Sequence, residues 1–437
     1  MKNIANKTKE AIILNACFWG VGNALISTSL VIYLIRDICA GNQSIAVGTV
    51  IAWIVAAPRI AGLLRLAVPW MIDRFGSRKW FTIATFTVSP LVLLGIPLGL
   101  SPLIHHASLA AALGLLVVIW CVYHLIEYFG TTALWAMIGD GIPAETRGRF
   151  LGIREAMMIL GQTFGFLAVG LYAYFVIDTL PSGVPRWEGY LLPTYFGIAC
   201  LLFAVIPLFR ISDNPPIIPK KKATERLLEP LRNRRFVIFV LFGMYLQLGG
   251  GLSQSVQHAY HVYVLQIPLL FALGAQTLTR VGQTTIAPMN GRGMDRFGFF
   301  PILCGSLAIV SSGSLCYFFA EPSTWWLVYV AAFLWIFWVG VNIGISMLVL
   351  NLSPPENKAS GIAIFYTAST LSFAISTLIG GYLFDCFRDT VLVIPAWNIA
   401  WDYAHCSFLA SFVLRLSSIG LLLGMVRWKS WYVKPKS

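Results

Sequence analysis

The four residues Asp73-Arg74-Phe75-Gly76 return in the second half of the chain as Asp295-Arg296-Phe297-Gly298. Each copy lies between two long apolar runs, so each reads as a tight, charged turn that joins two helices. The chain is therefore a tandem of two related halves. About 20 apolar residues suffice for a helix to cross the hydrocarbon layer, and the runs here reach that length repeatedly. With 58% hydrophobic residues, 11% charged residues and a mean hydropathy of +0.76, the chain is too apolar to be a soluble domain with one covered core. The expected fold class is an all-α membrane protein.

Twelve spans are predicted, near residues 11–35, 45–72, 80–100, 108–139, 150–177 and 191–210 in the first half, and near 236–262, 267–290, 299–319, 324–351, 360–385 and 406–426 in the second. The domain reading is an N-terminal six-helix bundle over 1–211, a linker over 212–235 and a C-terminal six-helix bundle over 236–437. The linker carries Pro215, Pro216, Pro219, the run Lys220 to Lys222, Arg232, Arg234 and Arg235, and is expected to hold a surface helix. Lys2, Lys7 and Lys9 lead straight into the first span with no small-residue cleavage site, so that helix is expected to stay as an anchor.

The net charge of +13 is explained by placement. Of the 31 Lys and Arg residues, only Arg36, Arg186 and Arg388 fall on the face opposite the N-terminus, apart from a few arginines inside helices. That bias places both termini in the cytoplasm of a multi-pass protein of the cell (inner or plasma) membrane. It allows attraction to anionic lipid and points to no nucleic-acid partner. The eight cysteines stand singly, mostly in apolar runs, and no Cys-x-x-Cys occurs, so no disulfide framework, metal or other cofactor is expected.

The turns carry a specific resemblance. The major facilitator superfamily reads Gly-x-x-x-Asp-Arg-x-Gly-Arg-Lys/Arg between helices 2 and 3, and Asp73, Arg74, Gly76 and Arg78 match it, with Pro69 and Ser77 as departures. The second copy keeps Gly291, Asp295, Arg296 and Gly298 but has Phe299 and Phe300 in place of the basic pair. A further pair of loops, with Glu145, Arg147 and Arg149 in one and Glu356 and Lys358 in the other, follows helices 4 and 10. The chain thus resembles that superfamily over nearly its whole length. The resemblance implies twelve helices in two pseudo-symmetric bundles that rock about a central solute site, with both sets of charged turns forming a cytoplasmic gate. In the family the Asp of the turn faces the start of helix 11, so Asp73 would meet Ser360 and Gly361, and by symmetry Asp295 would meet helix 5 near Gly148. The bare alternative is that these charges only set topology.

A charge in mid-bilayer costs roughly 2.5 to 3.5 kcal/mol even on mild scales, so each needs a reason. Arg59 and Arg280 lie roughly 21 to 23 Å from their Asp-Arg turns if the helices are straight, which is matching depth in the two halves. Two guanidinium groups facing one cavity would bind an anion through paired hydrogen bonds. Glu127, with His124 one turn away, lies at similar depth and would neutralise Arg59 or carry a coupling proton. Asn23, Gln162, Gln247 and Asn342 complete the candidate substrate-binding set, each with helix-to-helix hydrogen bonding as its plain alternative. Gly249, Gly250 and Gly251 serve either as a hinge of the seventh helix or as a close-packing face against the first. Trp335 and Trp338 are placed to line the cavity and stack on a sugar ring, whereas Trp70, Trp80, Trp325, Trp326 and Trp428 read as interfacial anchors. Arg65 and Arg415 receive no role.

No nucleotide-binding glycine loop, metal-ligand cluster or nucleophile–base pair stands out, which disfavours a membrane enzyme. The reading is a monomeric secondary active transporter, a symporter, for a small organic or inorganic anion with a coupling proton. The alternatives are a proton-coupled sugar transporter and a transporter-shaped sensor or assembly factor.

Overall fold

The computed structural model describes residues 2–40, 46–106, 108–141, 144–181, 184–211, 229–352, 358–388, 390–394 and 399–426. Eleven helical stretches are long and apolar enough to cross a membrane: Lys7–Ile38, Val47–Leu64, Arg78–Ile104, Leu109–Trp135, Phe150–Ile177, Arg186–Arg210, Arg234–Val264, Phe299–Phe318, Leu327–Val349, Gly361–Cys386 and Tyr403–Met425. A twelfth helix, Leu269–Phe297, has 29 residues and the length to cross, about 43 Å, but is too polar for a hydropathy window. It carries Gln276, Arg280, Gln283, Thr284, Thr285 and Asn290. In chain order it is the eighth, and the twelve are called spans 1 to 12 below.

The two Asp-Arg-Phe-Gly turns are alike in their backbone. Gly76 (φ 81°) and Gly298 (φ 83°) are the positive-φ glycines among the described residues, one at each copy. Gly76 ends the helix Val68–Phe75 in the left-handed conformation, with its N–H on the Ile72 carbonyl at 2.9 Å. Gly298, at ψ 159°, precedes the helix Phe299–Phe318 in a region that side chains avoid almost entirely. Neither position lacks space for a methyl group, so the φ angle alone requires glycine. Gly298→Ala is accordingly expected to lower stability by about 1 to 3 kcal/mol, and Gly76→Ala by about 1 to 2 kcal/mol. Thermal melts of the purified single variants check that order, and equal melting temperatures for Gly298→Ala and the parent would contradict it.

The chain divides into two compact units, residues 1–218 with 267–277, and residues 219–266 with 278–437. Unit 1 is built on Ala11, Ile12, Ile83, Phe86, Leu134, Ile138 and Phe150, and unit 2 on Phe236, Phe239, Phe242, Leu303, Leu307, Val341 and Phe365. The beginning of span 8 groups with unit 1, whereas the sequence places all of 236–437 in the second bundle. Within unit 1 this segment is held by the Tyr33 hydroxyl donating to the Ile267 carbonyl, by Gln276 Nε2 donating to Ser29 Oγ at 2.6 Å, and by Leu270 packing on Gly170.

Among the described residues, glycine-mediated helix contacts occur in both units, and one pair in each corresponds. In unit 1, spans 1 and 5 meet so closely that a methyl on Gly20 would strike the Met158 carbonyl, and one on Gly161 the Cys17 carbonyl. In unit 2, spans 7 and 11 do the same, Gly251 against the Phe373 carbonyl and Gly380 against the Leu252 carbonyl. First with fifth and seventh with eleventh are corresponding pairs in a tandem of six. The glycine triplet of span 7 packs on spans 11 and 12 within unit 2, with Gly249 against Leu414 and Arg415.

Among the described residues one element is not helical. Strands β1 (Val391–Ile394) and β2 (Ile399–Asp402) form an antiparallel hairpin between spans 11 and 12, with Val391 opposite Asp402. Asp402 accepts from the His405 backbone N–H at 2.9 Å and lies 2.6 Å from the His405 ring, starting span 12. Burial opposes its charge, but the His405 contacts outweigh that and hold the carboxyl below its usual value.

Candidate functional site

A proline organises the polar interior of unit 1. Pro58 lies inside the helix Val47–Ala61 and has no N–H to offer the carbonyl four residues back, that of Ile54. The indole of Trp120 on span 4 donates to that carbonyl at 3.0 Å. After the proline the chain tightens into a 3-10 segment, Gly62–Ala67, before resuming as Val68–Phe75. Arg59 sits at this break and is exposed.

Trp120 also begins a buried row on span 4. Its ring meets the His124 ring edge-on at 4.6 Å, Tyr123 packs on His124 at 4.7 Å, and Tyr128 lies 6.1 Å beyond. His124 Nδ1 lies 3.4 Å from Glu127 Oε2, with the two residues 7% and 5% exposed. His124 Nε2 is sealed without a partner. Asn23 on span 1 comes beside Tyr123, so the structure brings Asn23, Tyr123, His124 and Glu127 into one cluster. Gln162 is buried on span 5 beside Gly161, where that span packs on span 1.

In unit 2 the candidates are more dispersed. Arg280 and Asn342 are exposed and Gln247 is half-buried. Polar side chains of span 8 serve the break in span 10: Thr279 donates to Ala332 O at 3.0 Å and Gln283 to Trp335 O at 3.2 Å, where the 3-10 turn Trp335–Phe337 frees carbonyls. Trp335 is stacked on Tyr317 at 5.4 Å and donates to Val310 O. Trp338 lies under Arg415, 5.7 Å from guanidinium carbon to ring centroid. Both rings therefore have packing duties, which leaves less of each free to stack on a sugar. Tyr317 gathers a second polar group, Gln257 at 3.1 Å and His261 at 2.6 Å, next to a π-helical turn at Tyr260–Val264.

Of the gate residues, Arg74 and Arg296 are exposed, the latter over Phe297, and Arg78 is half-buried at the start of its helix. Gly291 lies within span 8 with open space at its Cβ position. Lys79, beside the matched motif, donates to the Phe209 carbonyl at 2.9 Å and so places a cation at the end of span 6. The side chains of Asp73, Asp295, Glu145, Arg147, Arg149, Glu356 and Lys358 lie outside the described residues.

Sequence reading passed over two groups. Arg154 on span 5 is 7% exposed, stacked on Trp135 at 5.0 Å, with Nε sealed and unpartnered and Glu155 3.6 Å away. Its signal is an arginine inside an apolar window, the same that singled out Arg59. At the far end of unit 1, Arg36 clamps Asp37 at 2.6 and 3.1 Å, Tyr190 donates to Asp37 at 3.0 Å, and Arg36 stacks on Tyr33. Burial pushes the nearby Asp178 carboxyl up from its ordinary value, against Arg36 and Arg186. Adjacent Arg and Asp in sequence read as cancelling surface charges, and nothing in one dimension shows Tyr190 closing over them.

The family model of the Major Facilitator Superfamily matches residues 12–281, more than half of the chain. The chain belongs to the Major Facilitator Superfamily. It is a multi-pass integral membrane protein and a transporter of that superfamily. Similar solved structures include a mutant of the nucleoside transporter NupG (TM-score 0.68, 15% identity, covering 97% of this chain and 99% of that one). A D-xylose-proton symporter has a TM-score of 0.67 at 15% identity, covering 97% of each chain. The inward-open xylose transporter XylE from E. coli has a TM-score of 0.65 at 14% identity, covering 99% and 97%. At these identities the likeness is one of fold. No curated protein matches the sequence.

Proposed function

We propose that this superfamily member is a proton-linked symporter for a small organic or inorganic anion, working by alternating access. One observation carries the reading. Among the described residues the buried full charges are Arg154, Arg415 and Glu127; Glu127 is engaged by His124 and Arg154 is paired with Glu155, which leaves Arg415 as the excess charge. A permanent positive excess in a membrane interior calls for a negative guest. Exposed Arg59 in unit 1 and Arg280 in unit 2 would meet that solute, with Asn23, Gln162, Gln247 and Asn342 as neutral contacts. Glu127 would carry the proton. The basic end of the chain, with both termini, would face the cytoplasm, and the charged turns would form its gate.

Uptake by the purified protein in liposomes tests this, using small carboxylates, inorganic anions and neutral sugars under an imposed pH gradient. Gradient-driven uptake of an anion is expected. Uptake of neutral sugars alone would install the sugar reading, and binding without uptake would install the sensor. Arg59→Lys and Arg280→Lys should each weaken anion affinity roughly ten- to a hundredfold, because lysine keeps the charge but loses the planar fork.

A further inference from the structure

Arg415 is one residue past the midpoint of span 12, Tyr403–Met425, and 7% exposed. Its Nε is sealed with no partner, and no carboxylate among the described residues pairs with it. Its one described contact of an electrostatic kind is the face of Trp338 on span 10. The side chain crosses from span 12 onto span 7, where the missing side chains of the glycine triplet make room. Arg415 Cγ passes beside Gly249, and a methyl on Gly250 would lie 3.3 Å from Nη2.

That arrangement is costly as packing alone. An arginine cannot shed its proton in a protein, and its N–H donors need acceptors that an aromatic face does not supply. Lipid phosphates are the usual relief for membrane arginines, but they lie at the bilayer surface, while this group is at mid-span. Gln247 and Gln254 stand three residues before and four after Gly250, hence on the same face of span 7. The guanidinium thus has an aromatic floor in Trp338, the Phe373 ring near Gly250, and two carboxamides on the neighbouring face of span 7, of which Gln254 already contacts His258 at 3.3 Å.

We propose that Arg415 is the cationic pole of an anion subsite in unit 2, taking a small dissolved oxyanion of the carboxylate or phosphate kind. Trp338 packs on the guanidinium, and the missing side chain of Gly250 spares room beside Nη2. The subsite deepens the anion reading above and rests on it.

The test is anion-dependent thermal stabilisation of the full-length protein in a non-ionic, phosphate-free detergent. The probes are inorganic phosphate, nitrate, acetate and citrate at fixed ionic strength, with chloride as reference. At least one should raise the melting temperature of the parent. Arg415→Gln should raise its dissociation constant more than tenfold, Arg415→Lys about tenfold, and Gly250→Ala severalfold through crowding at Nη2. If Arg415→Gln does not fold, the lysine and alanine variants still decide the matter. An unchanged anion response in them, with only the baseline melting temperature moved, would make Arg415 a packing residue and leave the anion reading standing. No response of the parent to any of the four anions would overturn both. A response that appears only after anionic phospholipid is added would assign the guanidinium to a lipid headgroup and overturn the subsite.

Discussion

A leucine at Gly251 or at Gly161 is expected to abolish recovery of folded protein, the largest effect of any single substitution considered for this chain. At Gly251 even a methyl group would collide with the Phe373 carbonyl and with Ser376 Oγ, and it would lie 3.0 Å from Thr377 Oγ1. At Gly161 the obstacle is the Cys17 carbonyl, with the Val21 nitrogen 3.1 Å away. The Phe373 and Cys17 carbonyls are backbone atoms of rigid helices, so no rotamer change relieves those two overlaps. The helices must part along their length. Overpacking by one or two methylenes in a close-packed core costs about 1 to 3 kcal/mol, and a leucine adds more than that against a net stability of about 5 to 15 kcal/mol. Gly420 supplies the control, since it is exposed on span 12 with nothing within 4 Å of its Cβ position. Gly420→Ala should be neutral or stabilising by up to about 1 kcal/mol through helix propensity. Detergent-solubilised yield and monodispersity measure all three. A monodisperse Gly251→Leu that melts with Gly420→Ala would mean that spans 7 and 11 do not approach as closely as described.

The contrast between those glycines shows where one-dimensional reading ends. The repeated Asp-Arg-Phe-Gly turn and the order of spans were legible because each depends on local residues and on runs long enough to cross lipid. Span 8 was named among the twelve candidate runs, although its hydropathy is too low to mark it as a crossing. The partner of Gly249 to Gly251 was not legible, because small residues announce a close approach without saying to what. The same holds for Trp120, whose donation to Ile54 is intelligible only once Pro58 is seen to have freed that carbonyl. His124 and Glu127 could be paired in advance from three-residue spacing, but Tyr123 and Asn23 meet only when spans 1 and 4 are brought together. The hairpin Val391–Ile394 with Ile399–Asp402 escaped notice because the search for spans treats whatever lies between them as loop.

Glu127→Gln is expected to leave solute exchange nearly intact while accumulation falls to equilibrium. Glu127 is the one buried carboxylate among the described residues, and its partner His124 has a second ring nitrogen with nothing to bond. A proton arriving at this pair has two adjoining seats, within a wall formed by Trp120, Tyr123 and Tyr128. If one proton crosses with each monovalent anion, the step is electroneutral and a gradient of one pH unit supports about tenfold accumulation, since one unit is worth 1.36 kcal/mol. Glutamine has the shape of a protonated glutamate and still bonds His124, so the binding geometry survives. It cannot give the proton up, so the pH gradient no longer does work on the solute and the accumulation ratio should fall from about ten to about one. Counterflow, which needs no net proton movement, should stay within a few-fold of the parent. His124→Asn should behave differently: the carboxylate remains, its neighbour is lost, and accumulation should persist. Proteoliposomes loaded with unlabelled anion give exchange, and empty ones under an acid-outside gradient give accumulation. Tenfold accumulation retained in Glu127→Gln would remove Glu127 from the proton path and make its contact with His124 a purely structural hydrogen bond.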